Sequence, residues 1–249
     1  MGEYSARELE RIRRSRRRPR LTQFDYLHIR SLVGDLSAAL KRVAGPGDRV
    51  LDLYCGSRPY DDLLPPTAEV VGLDVEGNPY GVADVVSDEF LPFPDSSFDL
   101  VMCIQAFDYV ADPHAVVTEL RRVLRPGGVV LLTVPFVWEY DRDARVHRYS
   151  GPGLAALFEG WLDVEVSESG GRAVAWATLT GSLVSIAERR VEGHAVARVL
   201  RPFLAGVYGL INLLGLVLAA GERRYARGPH TLPMSLLLVA RSPGLRETP

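Results

Sequence analysis

Apolar positions recur at two different spacings along this chain, and the change from one spacing to the other marks its elements. Short continuous or alternating apolar runs predict seven strands. The predicted strands cover residues 50–53, 70–73, 82–86, 98–104, 129–136, 162–166 and 234–240. Strands that alternate with helical segments are typical of an α/β domain.

Between these runs, apolar residues recur every three or four positions, which predicts helices. The predicted helices cover 22–43, 61–64, 113–124, 152–160 and 174–191. Thr22, Asp112 and Ser150 stand where side chains commonly cap a helix start, and Pro113 suits the first helical position.

Residues 48–74 follow the order strand, turn, helix, strand, acid, which is the pattern of a nucleotide-cofactor unit. Asp74 ends the second strand about 20 residues past the turn, where a carboxylate can accept hydrogen bonds from a ribose. A dinucleotide turn needs G-x-G-x-x-G so that bare backbone reaches the phosphates. Here Gly56 stands in the turn with Tyr54 and Arg58 nearby, so we expect a cofactor without a phosphate chain.

The segment VLDLYCGSR resembles the first motif of class I S-adenosylmethionine-dependent methyltransferases, which usually reads VLDLGCGTG. The segments LPFPDSSFD and RRVLRPGGVVLLTVPF are similar to the methyltransferase type 11 family. The resemblance implies a Rossmann-like sheet of seven strands, mostly parallel with an antiparallel last strand. It also implies S-adenosylmethionine as the cofactor. More than sixty residues lie between the sixth and seventh predicted strands, too many for a hairpin loop, so we expect a helical insertion there.

By this resemblance, the cofactor lies along the turn and the strand ends. Asp52 and Gly56 would face its amino-acid part, Asp74 its ribose, and Gln105 the reaction edge. Either Asp88 or Glu89 would lie beside the adenine amino group. The full set of expected cofactor residues is Asp52, Tyr54, Cys55, Gly56, Ser57, Asp74, Val75, Asp88, Glu89 and Gln105. No metal-ligand spacing is visible in the sequence.

Charged and aromatic residues are dense in 138–149, WEYDRDARVHRY, which follows the fifth strand. Ligands bind at the carboxyl ends of strands in open α/β sheets, although a solvated loop is the alternative. We expect His147 to act as the base because its ordinary pKa suits neutral pH. Glu139 or Asp143 would orient it, and Arg148 would hold an anionic group of the acceptor. His28 and His114 are interpreted as structural or exposed.

The net charge of −2 gives the chain no overall field to recruit nucleic acid. Two cysteines without a disulfide or zinc spacing, and polar residues at 1–20 without an apolar core, favour the cytoplasm. Residues 1–20 are rich in arginine and form either a solvated arm or a contact with an anionic surface. The methyltransferase domain is expected over 21–249.

The insertion, about 171–232, contains an unusual segment. Residues 202–221 carry no charge and are flanked by arginines, so their length suits a transmembrane helix. A span would separate the last strand from its sheet, so we expect an amphipathic helix or re-entrant hairpin on the inner face of a membrane. Burial in the core or in a homodimer is the alternative, and Ala205 and Gly209 would permit close helix contact in either case.

The sequence therefore predicts methyl transfer to a small-molecule or lipid-linked acceptor, such as a glycan, quinone or polyprenyl compound, at a membrane surface. Two alternatives stay open: a membrane-associated adaptor that has kept the fold without catalysis, and an NAD-dependent oxidoreductase. The missing glycines in the turn count against the oxidoreductase.

Overall fold

A computed structural model describes residues 4–87, 90–139, 147–191, 195–225 and 232–243. Its strands are β1 Arg49–Leu53, β2 Glu69–Asp74, β3 Val85–Val86, β4 Phe98–Ile104, β5 Leu124–Pro135, β6 Leu162–Ser169 and β7 Ser235–Arg241. They form one sheet in the order β3-β2-β1-β4-β5-β7-β6. Strands β1 to β5 pair in parallel, whereas β7 is antiparallel to both β5 and β6. The predicted, mostly parallel sheet with an antiparallel last strand is confirmed.

The helices are α1 Ala6–Arg17, α2 Tyr26–Val43, α3 Pro113–Val123, α4 Gly151–Ala156, α5 Arg172–Val191 and α6 Ala195–Tyr225. Asp112 caps α3 by accepting hydrogen bonds from two backbone amides at 3.0 Å, and Ser150 caps α4. Thr22 does not cap α2, because the chain first makes a turn and the helix begins four residues later, with Asp25 at its N-cap.

Helices cover both faces of the sheet. On one face, α3 and α4 bury Leu120 and Leu154 against the strands. On the other face, Leu36 and Leu40 of α2 pack on the sheet. The inner residues of β5 are buried on both sides, which explains their unbroken apolar run. This arrangement leaves the carboxyl ends of β1 and β4 as the place where a ligand can enter.

The arginine-rich N-terminal segment forms a helix that contacts the domain. Helix α1 starts with a capping box between Ser5 and Glu8. Arg13 Nε donates to the carbonyl oxygen of Ser57 at 2.6 Å, and Arg17 pairs with Asp62. Residues 6–17 therefore form a helix that contacts the turn after β1 through arginine side chains, although none of its residues is buried.

The insertion between β6 and β7 is a hairpin of two helices, α5 and α6, which packs on α2. Residues 202–221, expected to form an amphipathic helix or a re-entrant hairpin, lie within the single helix α6. The hairpin of the insertion is formed by α5 and α6 together. A Cβ at Gly209 would meet no atom within 4 Å, whereas one at Gly215 would lie 2.5 Å from Leu27 and 2.8 Å from Ala177. Within the described chain the close helix contact is therefore at Gly215 and not at Gly209, and the expectation that Ala205 and Gly209 permit close contact stays a prediction.

Candidate active site

A cavity of about 790 Å³ opens at the carboxyl ends of β1 and β4. Its wall is built by the turn after β1, the turn after β4, and residues of α1, α2, α5 and α6. Residues that line it include Arg16, Asp25, His28, Asp52, Tyr54, Cys55, Gly56, Ser57, Tyr60, Gln105, Asp108, Tyr109, Trp138, Glu188 and Tyr208. The cavity thus joins the predicted cofactor turn to the helical insertion.

The turn after β1 has positive φ angles at two positions that are not glycine. Tyr54 and Arg58 have φ angles of 56° and 54°, in the left-handed region that glycine adopts most easily. Arg58 reaches away to Asp61 at 2.9 Å and Asp84 at 2.6 Å, and it is absent from the described residues that line the cavity. Tyr54 does line the cavity. The space beside the turn is therefore not filled by Arg58.

Asp74, the predicted ribose acid, lies against this turn. Its Oδ2 accepts a hydrogen bond from the Gly56 amide at 2.6 Å and another from Asn78. Its Oδ1 accepts from the amide of Val75 at 2.8 Å. Asp74 is buried and holds the turn, and a ribose would have to compete for or share these oxygen atoms.

Four buried polar atoms in the cavity wall have no hydrogen-bond partner in the described structure: Asp52 Oδ2, Gln105 Nε2, Asp108 Oδ1 and His28 Nδ1. An unsatisfied buried polar group costs about 1–3 kcal/mol, so such a cluster indicates a ligand or bound water. Burial raises the pKa of Asp52 well above its usual value, and the neighbouring carboxylate of Asp61 adds to this effect.

These features fit S-adenosylmethionine better than a dinucleotide. The unpaired carboxyl oxygen of Asp52 suits a cationic sulfonium or amino group, and the amide of Gln105 offers donors at the end of β4. The backbone of Gln105 is fixed in the left-handed region, with φ 57°, by hydrogen bonds from its amide to Thr133. The turn offers no series of glycine amides for a pyrophosphate.

Other expected cofactor residues are found in several environments. Cys55 and Ser57 are buried and line the cavity, and burial raises the pKa of the Cys55 thiol. Val75 is 39% exposed beyond the tip of β2. Asp88 and Glu89 lie outside the described residues.

The three predicted catalytic residues are not among the described residues that line the cavity. Glu139 accepts a hydrogen bond from Ser182. Arg148 donates to Asp108 Oδ2 at 3.0 Å, so its charge is already paired. The ring of His147 stacks on Tyr149 at 5.9 Å. Asp143 and the rest of 140–146 lie outside the described residues.

His28 and Asp108 are cavity residues that the sequence interpretation missed. His28 lies on the apolar side of α2, 5% exposed, with Nε2 3.1 Å from Ser235 Oγ. Burial lowers its pKa to about 4, with a smaller effect from Arg16, so the imidazole is neutral. A histidine at an apolar position of a helix was the available signal. Asp108 follows β4 by four residues, at the strand end where ligands bind in open α/β sheets, and that position was the available signal.

Within the described residues, no group of three histidine, cysteine or acidic side chains could hold a metal ion. One described helix, Leu200–Tyr225, is long and apolar enough to cross a membrane by length and composition, with a mean hydropathy of 2.1. In the apolar stretch of this helix that meets the criterion, 22% of the residues are buried in the protein.

Comparison with known proteins agrees with this geometry. A family described as a methyltransferase domain matches residues 51–132. A demethylmenaquinone methyltransferase of Mycobacterium marinum is 32% identical over 173 residues, which cover 57% of this chain and 75% of that protein. A sterol 24-C-methyltransferase of Gibberella zeae is 32% identical over 138 residues, covering 46% of this chain and 36% of that protein. The chain spans 31% to 48% of the length of the first four curated relatives.

Solved structures agree in fold. The cyclase SpnF superposes with a TM-score of 0.56 at 20% identity, covering 88% of this chain and 83% of that one. The phosphoethanolamine N-methyltransferase 2 of Haemonchus contortus, solved with S-adenosyl-L-methionine, has a TM-score of 0.50 at 17% identity, covering 97% and 61%. Because one of these proteins is a cyclase, the shared fold alone does not fix the reaction.

Proposed function

This chain belongs to the class I S-adenosylmethionine-dependent methyltransferases, and from that premise we propose that it transfers a methyl group to a small, lipid-linked acceptor at a membrane surface. The observation that carries the proposal is the cluster of unpartnered polar atoms around the cavity at the strand ends. The resemblance to a demethylmenaquinone methyltransferase supports a quinone-type acceptor.

In this proposal the turn after β1 and the residues behind it bind the cofactor. Asp52 faces the cationic end of the cofactor. Asp74 holds the turn and faces the ribose, and Gln105 faces the side where the methyl group is transferred. When bound, S-adenosylmethionine would supply an activated sulfonium methyl group and leave as the neutral thioether, and the proton that the acceptor loses would pass to water. The protein contributes mainly by holding donor and acceptor in line, which reaches effective molarities of about 10⁵–10⁸ M.

Cofactor binding is tested by thermal shift and calorimetry with S-adenosylhomocysteine and with NAD. We expect S-adenosylhomocysteine to raise the melting temperature and NAD to leave it unchanged. Stabilisation by NAD alone would favour the oxidoreductase. No stabilisation by either ligand would favour an adaptor that has kept the fold.

Helix α6 supports the membrane part of the proposal. Phe203, Leu210 and Val217 recur every seven residues on one side of the helix and are 66%, 67% and 62% exposed. On another side, the side chain of Asn212 donates to the carbonyl oxygens of Leu21 and Gln23 at 2.7 Å. These hydrogen bonds hold α6 along the domain, which suits a helix lying in the membrane interface better than one crossing the bilayer.

Basic residues lie at the ends of the two insertion helices and along α1. Arg223 and Arg224 end α6, Arg189 and Arg190 lie near the end of α5, and α1 carries further arginines. A basic residue near an anionic membrane contributes about 1 kcal/mol. An apolar helix face together with arginines provides the two signals that stable peripheral attachment usually requires. We therefore place the enzyme in the cytoplasm, on the inner face of a membrane.

Flotation with vesicles tests the membrane contact. Deleting α6 would also remove Tyr208 from the cavity, so we replace Phe203, Leu210 and Val217 by glutamine. The control replaces Val86, Phe90 and Leu162, which are exposed apolar residues elsewhere. We expect the intact chain and the control to float with phosphatidylglycerol vesicles and the α6 variant to stay in the dense fraction. The proposal would be refuted if all three proteins floated equally or if none floated. It would also be refuted if the intact chain did not float and the α6 variant lost a homodimer that the intact chain forms.

A further inference from the structure

His28 and Asp108 lie on different elements, and each has one side-chain atom held and the other without a partner. His28 contacts Ser235 through Nε2 and leaves Nδ1 unpartnered. Asp108 accepts from Arg148 through Oδ2 and leaves Oδ1 unpartnered. Both side chains are at least nine-tenths buried, and both residues line the cavity. Contacts within the protein therefore hold both side chains in place, and one acceptor atom on each remains available to a ligand.

Aromatic side chains line the same cavity as these two acceptors. Trp138 lies with its ring centroid 5.4 Å from that of His28. Tyr109 and Tyr208 also line the cavity, and the Tyr208 hydroxyl donates to Glu188 at 2.8 Å. Flat rings favour another flat ring through offset stacking or edge contacts.

The charges of this wall do not favour an anion. Arg16 is the one arginine or lysine among the described lining residues, and it lies 3.5 Å from Asp25. Glu188 adds a carboxyl group, and the carboxyl group of Asp108 is already paired with Arg148. A carboxylate or phosphate on the acceptor would therefore meet acids without an unpaired described cation to balance it.

We propose that this part of the cavity is the acceptor site and binds an uncharged aromatic ring with two hydroxyl groups, one donating to His28 Nδ1 and the other to Asp108 Oδ1. The assignment rests on the proposed methyltransferase function and names its acceptor class. It requires the tautomer in which Nε2–H of His28 donates to Ser235 Oγ, because Nδ1 then carries a lone pair. His28 is a substrate-binding residue in this scheme, and Ser235 is a positioning residue.

The test uses the full chain saturated with S-adenosylhomocysteine and titrated anaerobically, by calorimetry, with three probes. The probes are a geranyl-substituted dihydroxynaphthalene, its carboxylated counterpart, and octyl glucoside as a sugar. We expect the neutral ring to bind about tenfold more tightly than either other probe, which corresponds to the loss of one hydrogen bond or an unbalanced charge.

Two substitutions separate the acceptor role of His28 from a structural one. His28→Asn keeps an oxygen or nitrogen near the position of Nδ1, whereas His28→Gln keeps a polar atom near Nε2, close to Ser235. We expect His28→Gln to weaken binding of the neutral ring about tenfold and His28→Asn to keep it within about threefold. The melting-temperature shift with S-adenosylhomocysteine should be the same in both variants.

The outcomes distinguish this inference from the proposed function. A chain that does not bind S-adenosylhomocysteine refutes the proposed function. A chain that binds it and does not bind the neutral ring refutes the acceptor assignment. Equal or tighter binding of the carboxylated ring or the glucoside, or equal effects of the two His28 variants, refutes it as well.

Discussion

The backbone amide of Gly56 donates a hydrogen bond to Asp74 Oδ2 at 2.6 Å and so joins the turn after β1 to the tip of β2. Tyr54 and Arg58, on either side of Gly56, hold left-handed φ angles where related turns have glycines. The conformation of this turn therefore does not depend on glycine at every position. A carboxylate on the next strand and the ion pairs of Arg58 stabilise it.

Substitutions of Arg58 should reveal the cost of the left-handed backbone in this turn. Arg58→Gly and Arg58→Ala both lose the ion pairs to Asp61 and Asp84 and the hydrogen bond to the carbonyl oxygen of Val70. Alanine retains a Cβ in the left-handed region, which costs about 1 kcal/mol, whereas glycine does not. We expect both variants to be less stable than the parent in urea unfolding, with the glycine variant about 1 kcal/mol more stable than the alanine variant. The reverse order would show that the turn is not left-handed at this position.

Asp74 should matter for both binding and stability. The Asp74 carboxylate accepts hydrogen bonds from the N–H groups of Gly56, Val75 and Asn78. Asp74→Asn replaces one acceptor oxygen by an NH₂ donor, so at least one of these hydrogen bonds is lost. We expect a stability loss of about 2 kcal/mol and an S-adenosylhomocysteine affinity at least about tenfold lower by calorimetry. Glu159→Gln, an exposed change remote from the turn, is the control and should alter neither. Near-normal affinity of a folded Asp74→Asn protein would refute the ribose assignment.

The sequence was sufficient for the sheet because its signals are local. The strand runs, the Asp112 cap and the Asp74 tip depend on spacing and on neighbours within a few positions, and each predicted strand overlaps one in the structure. The strand ends agree less well, because β3 is only Val85–Val86 and β5 begins at Leu124. The start of α2 was placed four residues early because the turn before it has no strong sequence signal. The left-handed angle of Arg58 was not visible, because a non-glycine residue adopts it only when tertiary contacts stabilise it.

The cavity was harder to predict because it combines distant parts of the chain. His28 and Ser235 are 207 positions apart, and nothing in the spacing of either residue indicates the other. The interpretation of 138–149 relied on the density of charged residues. Arg148 uses its charge on Asp108, a partner 40 positions earlier that the sequence did not indicate. The role of Arg148 toward the acceptor stays a prediction, and its pairing with Asp108 is what the sequence did not show.

The buried imidazole of His28 should make stability depend on pH. Its pKa is lowered to about 4 in the folded protein from an unfolded value of about 6.5, so below pH 6.5 the unfolded chain takes up the proton first. Stability is therefore lost as pH falls from 6.5 towards 4, by about 2 kcal/mol at pH 5. Asp25 and Asp108 act in the opposite sense, because burial raises their pKa values and the folded state binds protons more readily.

Comparison with a variant isolates the contribution of His28. The free energy of unfolding of the parent and of His28→Asn is measured in urea at pH 7 and pH 5. The drop between the two pH values should be about 2 kcal/mol smaller in the variant, since Asp25 and Asp108 remain in both proteins. An identical drop in both would mean that His28 is protonated in the folded state or open to water.

The two glycines of α6 should respond in opposite ways to alanine. At Gly209 a Cβ meets no atom within 4 Å, so Gly209→Ala gains helix propensity and should stabilise by about 0.5–1 kcal/mol. At Gly215 a Cβ would come within 2.8 Å of Ala177, on the neighbouring helix, so the pair must move apart. We expect Gly215→Ala to destabilise by about 1–3 kcal/mol in urea unfolding, as overpacking usually does. If alanine at 215 stabilised as much as at 209, α6 would not pack closely on α5, and the cavity wall formed by Tyr208 and Glu188 would lack its support.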